Sequence, residues 1–149
     1  MDTDIFEPLK LKNQLCFPLY ACSRETIKLY KPYLDALELT YTQYITMLVL
    51  WEEHALTVKE LEERLYLDSG TLTPLLKKLE GKGLLSRKRS SADERNLIVT
   101  ITETGQALKE KAADIPVQMA KYVNLTCEES LTLYKLLYKM LEPTKDQAL

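Results

Sequence analysis

Apolar and polar positions change period twice between Thr57 and Val99, and the change defines a small module. Thr57 followed by Glu60 is a capping box, so a helix is predicted to start at Val58. Val58, Leu61 and Leu65 then share one face. Asp68-Ser69-Gly70 supplies turn chemistry and is expected to break the helix. A second amphipathic run turns Leu72, Leu75, Leu76 and Leu79 inward and Thr71, Thr73, Lys77 and Lys78 outward, until Gly81 and Gly83 stop it. A short strand over 84–88, a polar turn over 90–94 and a β-rich run over 97–101 follow. Helix, turn, helix and basic hairpin make the pattern of a winged helix-turn-helix, whose second helix enters the DNA major groove.

On either side the pattern is helical. A first helix is expected over 9–30, with Leu11, Leu15, Leu19, Ile27 and Tyr30 apolar. Pro18 interrupts it, so either the helix kinks there or an inner segment begins near Phe17. Lys31-Pro32 is expected to end it, with a short turn over 33–37 beyond. Thr40 with Gln43 forms a second capping box, opening a helix through Glu53 that is apolar nearly all round and so expected to be buried. Trp51 and Met47 read as its core residues. Thr102 should cap a helix from Glu103 that Pro116 kinks or ends. Thr126 with Glu129 opens the last helix, running to about Leu141, and Pro143 closes the pattern. The expected fold is mostly α with a small β-hairpin, one domain over 1–149. Its winged helix-turn-helix core spans 41–102, flanked by 9–38 and 103–142. Those flanks hold more aromatics and leucines than one small module needs. They are expected to dimerise the chain, which would suit a pseudo-palindromic DNA site.

Charge sharpens this picture. The whole chain has 20 basic and 22 acidic residues, net −2. Residues 71–95 hold seven basic and three acidic ones, which leaves the remainder with thirteen and nineteen. A basic module on an acidic scaffold fits phosphate binding confined to one face. The plainer alternative is a solvated charged hairpin, which the helix-turn-helix pattern disfavours. Ser69, Thr71 and Thr73 lie where short hydroxyls can meet base edges or phosphates. Lys77 and Lys78 suit phosphates, and Arg87 and Arg89 add cations in the hairpin. At its tip Asp93 can orient Arg95 by paired hydrogen bonds and aim it at a narrow minor groove; otherwise the two are an ordinary surface ion pair.

Other chemistry is thinner. No stretch approaches the ~18–20 apolar residues of a membrane span, and the first residues lack the pattern of a secretory signal. A cytoplasmic location is expected. One His (His54) and three Cys show no metal-ligand spacing, and no phosphate loop or nucleophile elbow occurs. No metal, no cofactor and no enzymatic activity are expected. The odd number of Cys leaves room for a reactive thiol. A Cys on an apolar helix is usually inert packing. Cys16, however, has Tyr20 four residues on, and Pro18 places it near a helix start, where a thiolate is favoured. Tyr30 lies fourteen residues on, roughly 21 Å of helix. Its meeting Cys16 requires the chain to fold back or a partner's antiparallel first helix. Cys22, roughly 9 Å along the helix from Cys16, is beyond disulfide reach and expected to pack. Cys127 falls at the first position of a capped helix, either a reactive thiol or a semi-exposed surface residue.

The Asp93-Glu94-Arg95 wing after LDSGTLTPLLKKLE resembles the MarR family of dimeric winged-helix regulators. NQLCFPLYACSRE, with LTYTQY and LYLDSGTLTP, is similar to its organic-hydroperoxide-sensing branch and to the related staphylococcal redox regulators. The likeness runs from about Lys10 to Leu141. It implies that Cys16 is the peroxide-sensing cysteine, that Tyr30 and Tyr41 hydrogen-bond its sulfur, and that Tyr20 lines the same pocket. It implies that Arg24 and Asp68 link sensor helix to reading head, and that Arg95, held by Asp93, is the wing arginine. Pro18 departs from the pattern. The expected function is a homodimeric repressor that releases double-stranded DNA when an organic hydroperoxide oxidises Cys16, the product being a disulfide with the partner's Cys127 or a low-molecular-weight thiol. A second reading keeps the DNA module but gives the inter-helix pocket a non-redox ligand. A third, a thiol peroxidase, leaves the basic wing without a purpose.

Overall fold

The structure, a computed structural model, describes residues 5–142. The chain divides into two compact units, the first ending at Ile115 and the second beginning at Pro116. In the first unit come α1 (Cys16–Asp35), α2 (Tyr41–Glu53), β1 (Ala55–Thr57), α3 (Val58–Leu65), α4 (Ser69–Gly81), β2 (Leu85–Arg89), β3 (Leu97–Ile101) and α5 (Glu103–Ala112). Then follow α6 (Ile115–Ala120) and α7 (Cys127–Leu141). Pro143 lies outside the described residues.

Local hydrogen bonding explains where most helices begin. The Thr40–Gln43, Thr57–Glu60 and Thr126–Glu129 capping boxes all form, each hydroxyl accepting from the backbone N–H three residues on. Thr102 caps α5 by accepting from the Gly105 N–H at 3.0 Å.

Three boundaries differ from the sequence expectation. The first helix starts at Cys16, not near residue 9; upstream the chain makes two 3-10 turns, Glu7–Leu9 and Leu11–Asn13. Pro18 is thus the third residue of α1, where its missing N–H is one that no helix bond would have used. Lys31-Pro32 does not end α1, which continues to Asp35. The donor lost at Pro32 is offset by burial of Leu34 and a Lys31–Asp35 ion pair at 2.7 Å across the same turn. Nor is Asp68-Ser69-Gly70 the turn of the helix-turn-helix. Tyr66, at φ 53°, makes the turn, and Asp68 caps α4 by accepting from the Thr71 N–H at 2.8 Å.

The expected hairpin of β2 and β3 is the larger part of a three-stranded antiparallel sheet, ordered β1-β3-β2. Leu56 and Arg87 flank Val99 on its two sides. Below the sheet the core joins Met47 and Leu50 of α2 to Leu61, Leu72, Leu76 and Leu79 of α3 and α4, with Leu85 and Val99 from the strands. α5 docks through a bare backbone: the Trp51 indole N–H donates to the Gly105 carbonyl at 2.9 Å. A Cβ at position 105 would stand 2.0 Å from the Leu84 carbonyl oxygen. Along α7 no residue is buried, and Leu131, Tyr134, Tyr138 and Leu141 are exposed. Among the described residues no helix is long and apolar enough to cross a membrane.

Candidate nucleic-acid interface and sensor residues

The core leucines fix the orientation of α4. With Leu72, Leu75, Leu76 and Leu79 buried, Ser69, Thr71, Thr73, Lys77 and Lys78 are left exposed. The wing beside it is tightened by its own polar groups. Ser90 Oγ accepts from the Ala92 N–H at 3.2 Å, the Asn96 N–H donates to the Asp93 carbonyl at 2.9 Å, and the Arg89 guanidinium donates to the Glu94 carbonyl at 2.7 Å. At the tip the Arg95 backbone N–H and Nε both donate to Asp93 Oδ1 at 3.1 Å, while Nη2 reaches Oδ2 at 3.4 Å. These bonds hold the Asp93 carboxyl below its usual value. The Arg95 side chain nevertheless remains 89% exposed. An exposed pair of this kind adds little stability; its effect is to hold the guanidinium in one direction.

Arg87, expected among the cations facing DNA, is turned toward α4 in the single chain. Its side chain is only 19% exposed and is paired with Glu80 of α4 at 2.8 Å. Its charge is neutralised within the fold. Arg89 keeps an exposed position at the end of β2.

Cys16 is the first residue of α1 and is exposed in the single chain. The Tyr20 hydroxyl accepts from Arg24 Nη1 at 2.7 Å, and the Arg24 guanidinium carbon lies 5.5 Å from the Tyr20 ring centre. Arg24 and Asp68 are therefore not paired with each other within one chain: the first holds Tyr20, the second caps α4. Tyr30 and Tyr41 meet edge to face with ring centres 5.0 Å apart. Tyr44, which the sequence reading passed over, joins them at 5.8 Å from Tyr30 and 6.3 Å from Trp51. Three residues after Tyr41 on a capped helix, it was detectable by spacing. Burial pushes the Tyr30 and Tyr41 phenols up, and burial with the two neighbouring phenols pushes Tyr44 up to about 12. All three remain protonated donors at neutral pH.

Because α1 is unbroken from Cys16 to Asp35, folding back is excluded. Cys16 and Tyr30 stay roughly 21 Å apart along it. Cys22, expected to pack, is exposed, as is Cys127 at the first position of α7. A cavity of about 260 Å³ opens between α1 and α2, against Ile27, Leu34, Leu39 and Tyr41.

A capped two-helix reader, a three-stranded wing and an arginine presented at its tip define a winged-helix DNA-binding protein. The family model for the transcriptional regulator SarA/Rot matches residues 28–112. The chain is 53% identical over 137 residues to the organic hydroperoxide resistance transcriptional regulator of Bacillus subtilis (strain 168), covering 92% of this chain and 93% of that protein. It is 47% identical over 120 residues to the HTH-type transcriptional regulator SarZ of Staphylococcus aureus (strain USA300), covering 80% and 81%. Reduced AbfR bound to DNA is similar in structure, with a TM-score of 0.76, 36% identity and 91% and 95% of the two chains covered. A mutant MarR from E. coli, complexed with operator DNA, gives 0.77 at 28% identity, covering 93% and 99%. The chain belongs to the SarA/Rot family of transcriptional regulators, and within the wider MarR family it stands with the organic hydroperoxide resistance regulators. It is a DNA-binding transcriptional regulator and not an enzyme.

Proposed function

We propose that the chain acts as a two-fold dimer that represses by occupying a pseudo-palindromic operator and releases it when an organic hydroperoxide oxidises Cys16. The observation that carries this reading is the unbroken course of α1. It begins at an exposed Cys16 and leaves the phenol cluster of Tyr30 and Tyr41 at the other end, so only a partner's antiparallel α1 brings thiol and phenols together. The Cys16 thiolate attacks one peroxide oxygen, the O–O bond breaks, and sulfenic acid and an alcohol result after proton transfer. The sulfenic acid then condenses with a second thiol, the partner's Cys127 or a low-molecular-weight thiol, and water leaves. Tyr20, Tyr30 and Tyr41 supply hydroxyls to the pocket. Arg24 and Asp68 couple it to the reading head, since whatever moves Asp68 moves the cap of α4. Residues 41–102 form the DNA-binding core; 9–38 and 103–142 form the dimerisation and sensor segments. Ser69, Thr71 and Thr73 face bases, Lys77, Lys78 and Arg89 face phosphates, and Arg95 enters the minor groove. The setting is the cytoplasm, where thiols are kept reduced.

The test is a gel-shift titration of the operator complex with cumene hydroperoxide. Release by wild type and retention by Cys16→Ser is the expected result. Release of both at the same dose overturns the thiol mechanism in favour of a ligand without redox chemistry. Non-reducing gels separate the two thiol partners: a covalent dimer absent in Cys127→Ser assigns the partner's Cys127.

A further inference from the structure

Recognition helix and wing are read above as contacting different grooves, yet the chain between them is short and contains Gly83 at φ 71°. One carboxylate spans that joint. Glu80, next to last in α4, accepts the Arg87 backbone N–H on Oε1 at 3.0 Å and Arg87 Nε and Nη2 on Oε2 at 3.1 and 2.8 Å. Three bonds from one residue fix direction as well as distance. Arg87 is also the middle residue of β2, opposite the buried Val99 of β3, so what grips it grips the whole wing. The Arg87 N–H is one of the alternate N–H groups of β2 that point away from β3, and because β2 is an edge strand Glu80 takes the position a second neighbouring strand would otherwise occupy.

We propose that Glu80 and Arg87 are a positioning pair: they set the wing against α4 so that Arg95 and the exposed face of α4 engage one half-site together. This rests on the proposed function of the wing. Neither residue touches DNA in this reading. Their effect is to make minor-groove contact conditional on major-groove docking, hence to favour operators in which the two grooves are correctly spaced.

The test is a double-mutant cycle with the full-length dimer and operator duplex, read by fluorescence anisotropy across a salt series. Arg95→Ala alone is expected to weaken binding about tenfold or more. In a Glu80→Ala background the same change should cost less than about twofold, since the wing is no longer delivered, and Glu80→Ala by itself should lower the salt slope by about one. Glu80→Gln, whose side-chain oxygen can still accept from the Arg87 backbone N–H, should restore part of the Arg95 effect, which a merely stabilising role would not do. Equal Arg95→Ala losses in both backgrounds overturn the positioning role while leaving the wing reading intact. An Arg95→Ala variant that binds like wild type overturns both together.

Discussion

Gly105 shows what a single atom decides. Its α-carbon faces the Leu84 carbonyl so closely that Gly105→Ala must push α5 off the sheet or strain β2. The cost expected is about 1–3 kcal/mol, visible as a shift of the urea midpoint, and Trp51 should lose its indole bond to the Gly105 carbonyl. Ionisable residues behave by the same local rules. The Glu80 and Asp93 carboxyls are held below their ordinary values of 4.5 and 3.8 by Arg87 and Arg95. A depressed carboxyl stabilises the fold above its unfolded value, and that contribution disappears as pH falls through the folded one. Wing order should therefore be level from pH 7 down to about 4.5 and decline only below it. A carboxyl-carbon NMR titration of both residues checks this, and midpoints at or above 4.5 and 3.8 would contradict it. The buried phenols act at the other extreme. Their raised values mean stability held below about pH 10 and lost as pH rises through the folded values, about 12 for Tyr44. At this scale the sequence was informative where partners lie close along the chain. Asp93 and Arg95 are two residues apart and were readable as an oriented pair. The pairing of Arg87 was not legible because Glu80 reaches it only after the chain has turned at Gly83.

Elements were legible wherever their ends are set by neighbours within four residues. Three capping boxes and the Thr102 cap gave helix starts to the residue, because the same hydroxyl and N–H meet whatever the tertiary context. Thr57→Ala should accordingly cost about 0.5–2 kcal/mol and weaken operator binding further, since α3 and α4 both pack on α2; thermal melting and anisotropy read the two effects separately. What the pattern did not show was decided at longer range. β1 has three residues, too few for an alternating signature, and its partner β3 lies some forty positions downstream. Pro32 looked like a terminator, but burial of Leu34 and the Lys31–Asp35 pair carry the helix past it. Pro18 looked like a disruption and proves compatible with a helix whose first turn it occupies.

At the scale of the molecule, the isolated chain exposes Leu9, Leu15 and Phe17 before and within the start of α1, and Leu131, Tyr134, Leu136 and Tyr138 along α7. Exposed apolar side chains in this number mark association surfaces, and they are the surplus that the sequence showed outside the reading head. If folding and pairing are coupled, stability depends on concentration. Each tenfold increase in chain concentration should then stabilise the dimer by about 1.4 kcal/mol. A melting temperature independent of concentration between micromolar and hundred-micromolar chain would argue against an obligate pair, as would sedimentation of an active monomer. The pocket itself was only partly readable. Spacing alone set Cys16 and Tyr30 too far apart to meet, and left open how they could; the unbroken α1 removes the intramolecular answer.

That unbroken helix has a genetic corollary. If each sensing centre takes its sulfur from one copy and its phenols from the other, lesions at Cys16 and Tyr30 should complement. A chain with Cys16→Ser paired with one carrying Tyr30→Phe rebuilds one intact centre and confines both defects to the other. Co-expressed, the two alleles should respond to peroxide where neither does alone. If phenols and sulfur acted within one copy, every centre in the mixed pair would carry a lesion, and no combination would recover the response.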